Sequence, residues 1–352
     1  MDDAIEHSVG TGMRYEYRQI WSLPTSMGGF GVPILSQIAV GAFVASCSSS
    51  LPTQRLLGCS NPRSELLEAQ TMLNLSLSAD ETTINQNFQV SQHTIKKKLD
   101  MLNACKIMEH SNTRTKALLL GRGSTYSNRW LYAPPLKFLK QEIPNSEYQL
   151  LLKYHSGIPL LANSSNFYCR ACKQKTLDEY GDHALSCKYT GDVIGRHDAV
   201  RDALDEIAKE AGFQCFKEVG VMRDRMGDVV IRNFNMGRDL FVDVSVAHTL
   251  CPSYVDRSAK NALSAASLRV EQKNKKFEAQ SEVVNFKAFV VETLGGIHKD
   301  AVEILKKIAD IIAVGTFMEP HKVLQRLQTK ISMVLQRGNA RLLAARYLAL
   351  EG

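Results

Sequence analysis

The stretch from Gly227 to Val246, GDVVIRNFNMGRDLFVDVSV, constrains the fold more than any other part of the chain. Val229, Val230 and Ile231 form one β-branched run, and Leu240 to Val246 alternate as a second. Asn235, Met236 and Gly237 between them suit a turn with positive φ, so the stretch reads as a β-hairpin. Folding about that turn sets Asp228 nearly opposite Asp243. Facing side chains on one face of such a pair lie about 5 Å apart. Two carboxylates held that way repel, and a divalent cation with oxygen ligands relieves the repulsion best. The plainer alternative is a solvated acidic pair, but Asp is depleted in strands, which favours the metal.

A chain of 352 residues exceeds one ordinary core, so two or three domains are expected. Hydrophobic residues at 44% and charged residues at 22% describe a globular chain rather than a disordered one. The net charge of +7 suits a polyanionic partner without requiring one. No uninterrupted apolar run reaches the length of a membrane span. The opening MDDAIEHSVG lacks the basic and apolar regions of a secretory signal. The eight cysteines are spaced for metal more than for disulfides, so a reducing compartment, nucleus or cytoplasm, is expected.

The sharpest spacing is CRACKQKTLDEYGDHALSC, where Cys169, Cys172, His183 and Cys187 read C-x2-C-x10-H-x3-C. The first pair forms a knuckle, and the three residues between His183 and Cys187 put both on one face of a helical turn. Three thiolates and one imidazole make a closed tetrahedral set that suits structural Zn²⁺. With no open position, catalysis at this metal is not expected. Such a knuckle often abuts nucleic acid.

Around these motifs the chain is mostly helical. In residues 1–150, LPTSMGGFGVPI reads as a loop ahead of a core helix. SELLEAQTMLNLSL and SQHTIKKKLDMLNACKIM read as amphipathic helices, the second carrying Lys96, Lys97 and Lys98 on a solvated or phosphate-touching face. GRGSTYSNRWLYAPP reads as a connector, and its GRG lacks the spacing of a phosphate loop. Arg196 to Phe213 is a helix with Val200, Leu204 and Ile207 on one face. A short strand over 213–219 precedes the hairpin, a basic helix over 258–276 follows it, and FKAFVVET is a buried strand. Two or three amphipathic helices finish the chain. This order gives an α+β protein in which a mixed sheet is flanked by helices.

The series C-x2-C, DHALSC, RHDAVRDAL, GDVVI, RDLFVDVSV, KNKKF, FVVETLGG and RGNAR resembles the C-terminal region of eukaryotic non-LTR retrotransposon polyproteins. There a CCHC knuckle accompanies a restriction-endonuclease-like domain of the PD-(D/E)XK superfamily. The resemblance covers about residues 125–350, and LPTSMGGFGVPI is similar to the segment after the polymerase palm. No polymerase motif of the YXDD type is present.

The resemblance implies three parts: a helical region over 1–150, a zinc knuckle over 151–192 and an endonuclease-like domain over 193–352. It implies that Asp228 and Asp243 are the two catalytic acids holding Mg²⁺ or Mn²⁺, with Gly227 where proline usually stands. Ser245 occupies the place where the superfamily's lysine often sits, and Lys273, Lys276 and Phe277 match a migrated K..KY signature. Glu206 or Glu210 would add a ligand, and Glu292 is a further acid near the site. The activity implied is metal-dependent nicking of DNA, with DNA or RNA as partner. A relic that binds nucleic acid without cutting it is the alternative.

Overall fold

The computed structural model describes residues 14–58, 64–77, 91–139, 141–161, 167–189, 191–217, 220–221, 224–225, 227–277 and 285–348. The expectation drawn from MDDAIEHSVG therefore lies outside the described residues. The chain divides between Ser111 and Asn112 into two units.

In the unit Arg14–Ser111, four helices are α1 (Tyr15–Ser22), α2 (Leu35–Leu56), α3 (Ser64–Ser76) and α4 (Gln92–His110). The last three of these bury Val44, Ala45, Leu66, Leu73 and Ile95 together. The loop expected before α2 is tied down by Arg18, which donates to the carbonyls of Val32 and Pro33 at 2.9 Å each. Trp21 stacks on Phe30 in the same loop. The Ser91 hydroxyl caps α4 by accepting from the Thr94 N–H. Of the three lysines on α4, Lys96 pairs with Asp100, while Lys97 and Lys98 are exposed.

From Asn112 onward the helices are α5 (Thr113–Gly123), α6 (Asn145–Ser156), α7 (Asp182–Ser186) and α8 (Gly191–Glu210). Next come β1 (Cys215–Lys217), two short strands β2 (Gly220–Val221) and β3 (Asp224–Arg225), then β4 (Val229–Asn235) and β5 (Arg238–Ala247). The chain continues through α9 (Val255–Ser258), α10 (Ser264–Phe277), β6 (Asn285–Glu292), α11 (Lys299–Thr316) and α12 (Pro320–Tyr347). The basic helix expected over 258–276 is thus α10, set apart from the short α9.

The sheet has the order β1-β4-β5-β6, antiparallel except for the parallel pair β5·β6. Alternation along β5 explains its two faces. Leu240, Val242 and Val244 join Val229, Ile231 and the apolar stripes of α8, α11 and α12. Ala247 on the opposite face meets Ala265, Ala266 and Val270 of α10, together with Ala288 and Val290 of β6. The small residues on both sides let α10 lie close to the sheet. The architecture is mixed helix and sheet, consistent with the α+β class.

Residues 112–150 do not form part of a separate N-terminal region. Ala117, Leu118, Leu150 and Tyr154 share a core with the knuckle cysteines and with Leu342, Leu343 and Tyr347 of α12. The expected 1–150 region is therefore divided between the two units. The stretch read as a connector is packed as well. Arg122, Ser127, Asn128 and Trp130 are buried, and the Arg122 guanidinium donates to the His155 carbonyl at 2.8 Å. At the C-terminal RGNAR, Asn339 donates to the Thr293 carbonyl and accepts from Arg196. No helix among the described residues is long and apolar enough to cross a membrane.

Candidate metal sites

The knuckle is built by local hydrogen bonds before any metal is considered. Cys169 N–H donates to the Lys175 carbonyl, and Lys173 N–H donates back to Cys169, each at 2.8 Å. The Asp178 carboxylate accepts from the N–H groups of Tyr180, Asp182 and His183 at 3.0, 2.9 and 2.6 Å. That starts α7, which presents His183, with Cys187 just past its end. The ligand atoms of Cys169, Cys172, His183 and Cys187 all lie within 4.8 Å of one another.

Two of those distances test the fit. Cys169 Sγ is 3.9 Å from Cys187 Sγ, and Cys172 Sγ is 3.5 Å from His183 Nε2. A tetrahedral ion with Zn–S of about 2.3 Å and Zn–N of about 2.1 Å requires S···S of about 3.8 Å and S···N of about 3.6 Å. A disulfide would need its sulfurs about 2.05 Å apart. The four residues could therefore hold a zinc ion. Burial also pushes the His183 imidazole below its ordinary pKa, favouring the neutral form that ligates. The site is locked to its surroundings by Arg114, bidentate to Asp182 at 2.7 and 3.0 Å, and by Tyr347, whose hydroxyl donates to the Asp178 carbonyl.

The acidic pair owes its position to a bulge. Met236 and Gly237, both at positive φ, turn the chain tightly, with Asn235 facing Arg238. Continued straight back, that register would set Asp228 across from Ser245. Between Ile231 and Asn235 the register shifts, so that Val229 faces Val242 and Asp228, in the bend just before β4, lies near Asp243. Asp228 N–H donates to the Val242 carbonyl at 2.9 Å, and the Asp228 carboxylate accepts from Val244 N–H at 2.8 Å.

Each acid meets a cation of the protein. Lys273 of α10 places Nζ 2.5 Å from Asp243 Oδ2. Burial raises the Asp243 carboxyl above its usual pKa, against the pull of Lys273 and with the Asp228 charge adding to the rise. Burial is the largest single effect on the Asp228 carboxyl and raises it, but His197, the Val244 N–H and Lys273 together hold it below the usual range. His197, on α8, sits with Nε2 3.3 Å from Asp228 Oδ2 and 3.0 Å from the Val244 carbonyl. Its Nδ1 lies 3.2 Å from Asp198 Oδ1, so both ring nitrogens face acceptors. The Asp228 hydrogen bond is the main cause lifting the His197 pKa to about 9.

The other expected residues are placed elsewhere. Lys276 is exposed, with Nζ 5.3 Å from the centre of the Phe277 ring. Phe277 is buried against Phe286. Glu206 pairs with Lys330, and Glu210 with Arg326, both on α12. Glu292 is fully buried and accepts from Ala266 N–H at the start of α10 and from the Thr249 hydroxyl. Ser245 accepts from Arg269 Nε at 3.0 Å. Among the described residues, the Cys/His set is the one group of three or more such ligands drawn together closely enough for a metal. His197 escaped the sequence reading, although it lies three residues before Val200 on the buried stripe of α8. A titratable residue on an apolar stripe was the available signal. In comparisons with known proteins, no family model matches this chain and no curated protein matches it.

Proposed function

We propose that the chain is a metal-dependent DNA endonuclease of the restriction-endonuclease-like PD-(D/E)XK class, of retrotransposon origin, with a structural zinc knuckle. The observation that carries this reading is Asp228, in the bend just before β4, close to Asp243 of β5, with Lys273 reaching Asp243 from the helix that crosses behind them. Oxygen donors of this kind fit Mg²⁺ or Mn²⁺, which keep several waters and need one or two carboxylates. When bound, such an ion polarises a phosphate and lowers the pKa of water. Asp228 and Asp243 would hold it. Lys273, close to the acids, would neutralise charge developing on the phosphate. Lys276, exposed on the same helix, would touch the backbone only. The knuckle would help place nucleic acid, DNA or RNA, in the nucleus or cytoplasm.

One observation favours a second reading, a nucleic-acid-binding relic that does not cut. Both acids already meet protein cations, His197 and Lys273. Incubating the chain with plasmid and Mg²⁺ or Mn²⁺, beside Asp243→Asn, separates the two. Nicking that vanishes in the variant supports the nuclease. Binding without any cleavage selects the relic. Equal cutting by both proteins identifies a contaminant.

A further inference from the structure

We propose that Ser245 and Arg269 form a phosphate-binding subsite beside Asp243, where Arg269 grips a backbone phosphate of nucleic acid and Ser245 positions it. The inference rests on the nucleic-acid partner proposed above, but not on cleavage. Asp243 and Ser245, two residues apart on β5, share the sheet face that α10 covers. Arg269 and Lys273, four apart on α10, share one face of that helix. The two elements therefore bring a lysine to the acid and an arginine to the serine.

The two cations are not equivalent. Lys273 is in contact with Asp243, so its charge is matched. Arg269 bonds neutral partners instead: Nε donates to Ser245 Oγ at 3.0 Å and Nη1 to Gln272 Oε1 at 3.2 Å. Among the described residues no carboxylate pairs with it. A guanidinium has five N–H donors in a planar fork. Two bonds to neutral atoms fix its plane and leave donors and a whole positive charge for a ligand. Such a pre-set fork loses little freedom when it meets a phosphate, whose oxygens match it in pairs. Ser245 is 5% exposed, so its hydroxyl needs a partner, and Arg269 supplies it.

The test is duplex-DNA binding by the full chain, followed by fluorescence anisotropy across a salt series, with thermal melting of each variant alongside. Arg269→Gln should make the log–log salt slope shallower by about 0.9, the value of one lost phosphate contact. Arg269→Lys keeps the charge, so its slope should stay near wild type while the affinity falls with the lost fork. Ser245→Ala should weaken binding by about two- to tenfold at an unchanged slope, as expected for one lost hydrogen bond. Ser245→Thr should restore it. A merely structural role would lower the melting temperature without this split between slope and affinity.

Arg269→Gln binding with the wild-type slope overturns the proposal, even if the wild type nicks DNA. Ser245→Ala binding as wild type overturns the positioning role. A slope lost in Arg269→Gln by a protein that never cuts upholds the subsite and removes the nuclease. Inorganic phosphate at constant ionic strength that erases the difference between wild type and Arg269→Gln replaces the backbone by the free anion. No DNA binding by wild type overturns both readings.

Discussion

Loss of the His197 charge should cost stability only on the acid side of about pH 9. The perturbation is His197→Gln, which keeps size and polarity but cannot become cationic. The His197 pKa stands at about 9, against an ordinary 6.5. A group whose pKa is raised by folding contributes stability that is fully present below its unfolded value. That contribution declines above 6.5 and is gone once the pH has risen through about 9. At about 1.36 kcal/mol for each tenfold change in proton affinity, the difference is worth at most about 3.4 kcal/mol. The side chain is 30% exposed. Solvent screening therefore reduces the expected contribution to about 1–2 kcal/mol.

The assay is urea unfolding without added divalent cations, followed by tryptophan fluorescence. A Trp21→Phe background leaves Trp130, which is buried in the same unit as the acids. Wild type should exceed His197→Gln by about 1–2 kcal/mol at pH 6 and by close to nothing at pH 10. An equal gap at both values would refute the ion pair, and a gap that grew with pH would reverse its sign.

Three further outcomes are expected. The purified, reduced chain should carry about one Zn²⁺, and Cys172→Ser or His183→Ala should release it and lower the melting temperature; a folded sample without zinc would remove the knuckle assignment. Gly181→Ala should destabilise by about 1–3 kcal/mol in thermal melts, because a side chain there strains overpacked surroundings. Gly181 has φ of 91°, and a Cβ would come 2.6 Å from Leu343 Cδ2. Lys273→Ala should cost nicking by about two to three orders of magnitude, whereas Lys276→Ala should mainly lower the salt slope by about one; equal losses would mean that neither lysine is special.

The elements of this chain were legible where local periodicity decides them. The hairpin, the helix with Val200, Leu204 and Ile207 on one face, and the buried strand of β6 follow from spacing alone. The knuckle spacing was equally direct, since four ligands in one short stretch need few long-range contacts. The boundary near residue 150 was not legible. Leu118 and Tyr154 find their partners in the knuckle and in Leu342 and Leu343, far along the chain. An apolar face announces that it will be buried, but not against what.

The candidate site shows where periodicity stops and where it could have gone further. The resemblance points to Glu206 or Glu210 as a further ligand, yet both flank the stripe and pair with cations of α12. His197 continues the stripe at 200, 204 and 207, so the helical period itself aims it toward the sheet. The stripe alone therefore singles out the histidine. The bulge is a different matter. Turn residues fix the register at the tip, and from that tip Asp228 would face Ser245. The shift between Ile231 and Asn235 sets Val229 against Val242 and brings Asp228 near Asp243, and it leaves Ser245 to α10 and Arg269. Asn233, at positive φ, marks the place: its N–H is taken by Asp239, and its side chain accepts from Gly237. An Asn and an Asp bracketing a tight turn are thus local signals with a distant effect. They decide which residues of β5 the first acid lies beside, and so whether two carboxylates come close together at this end of the hairpin.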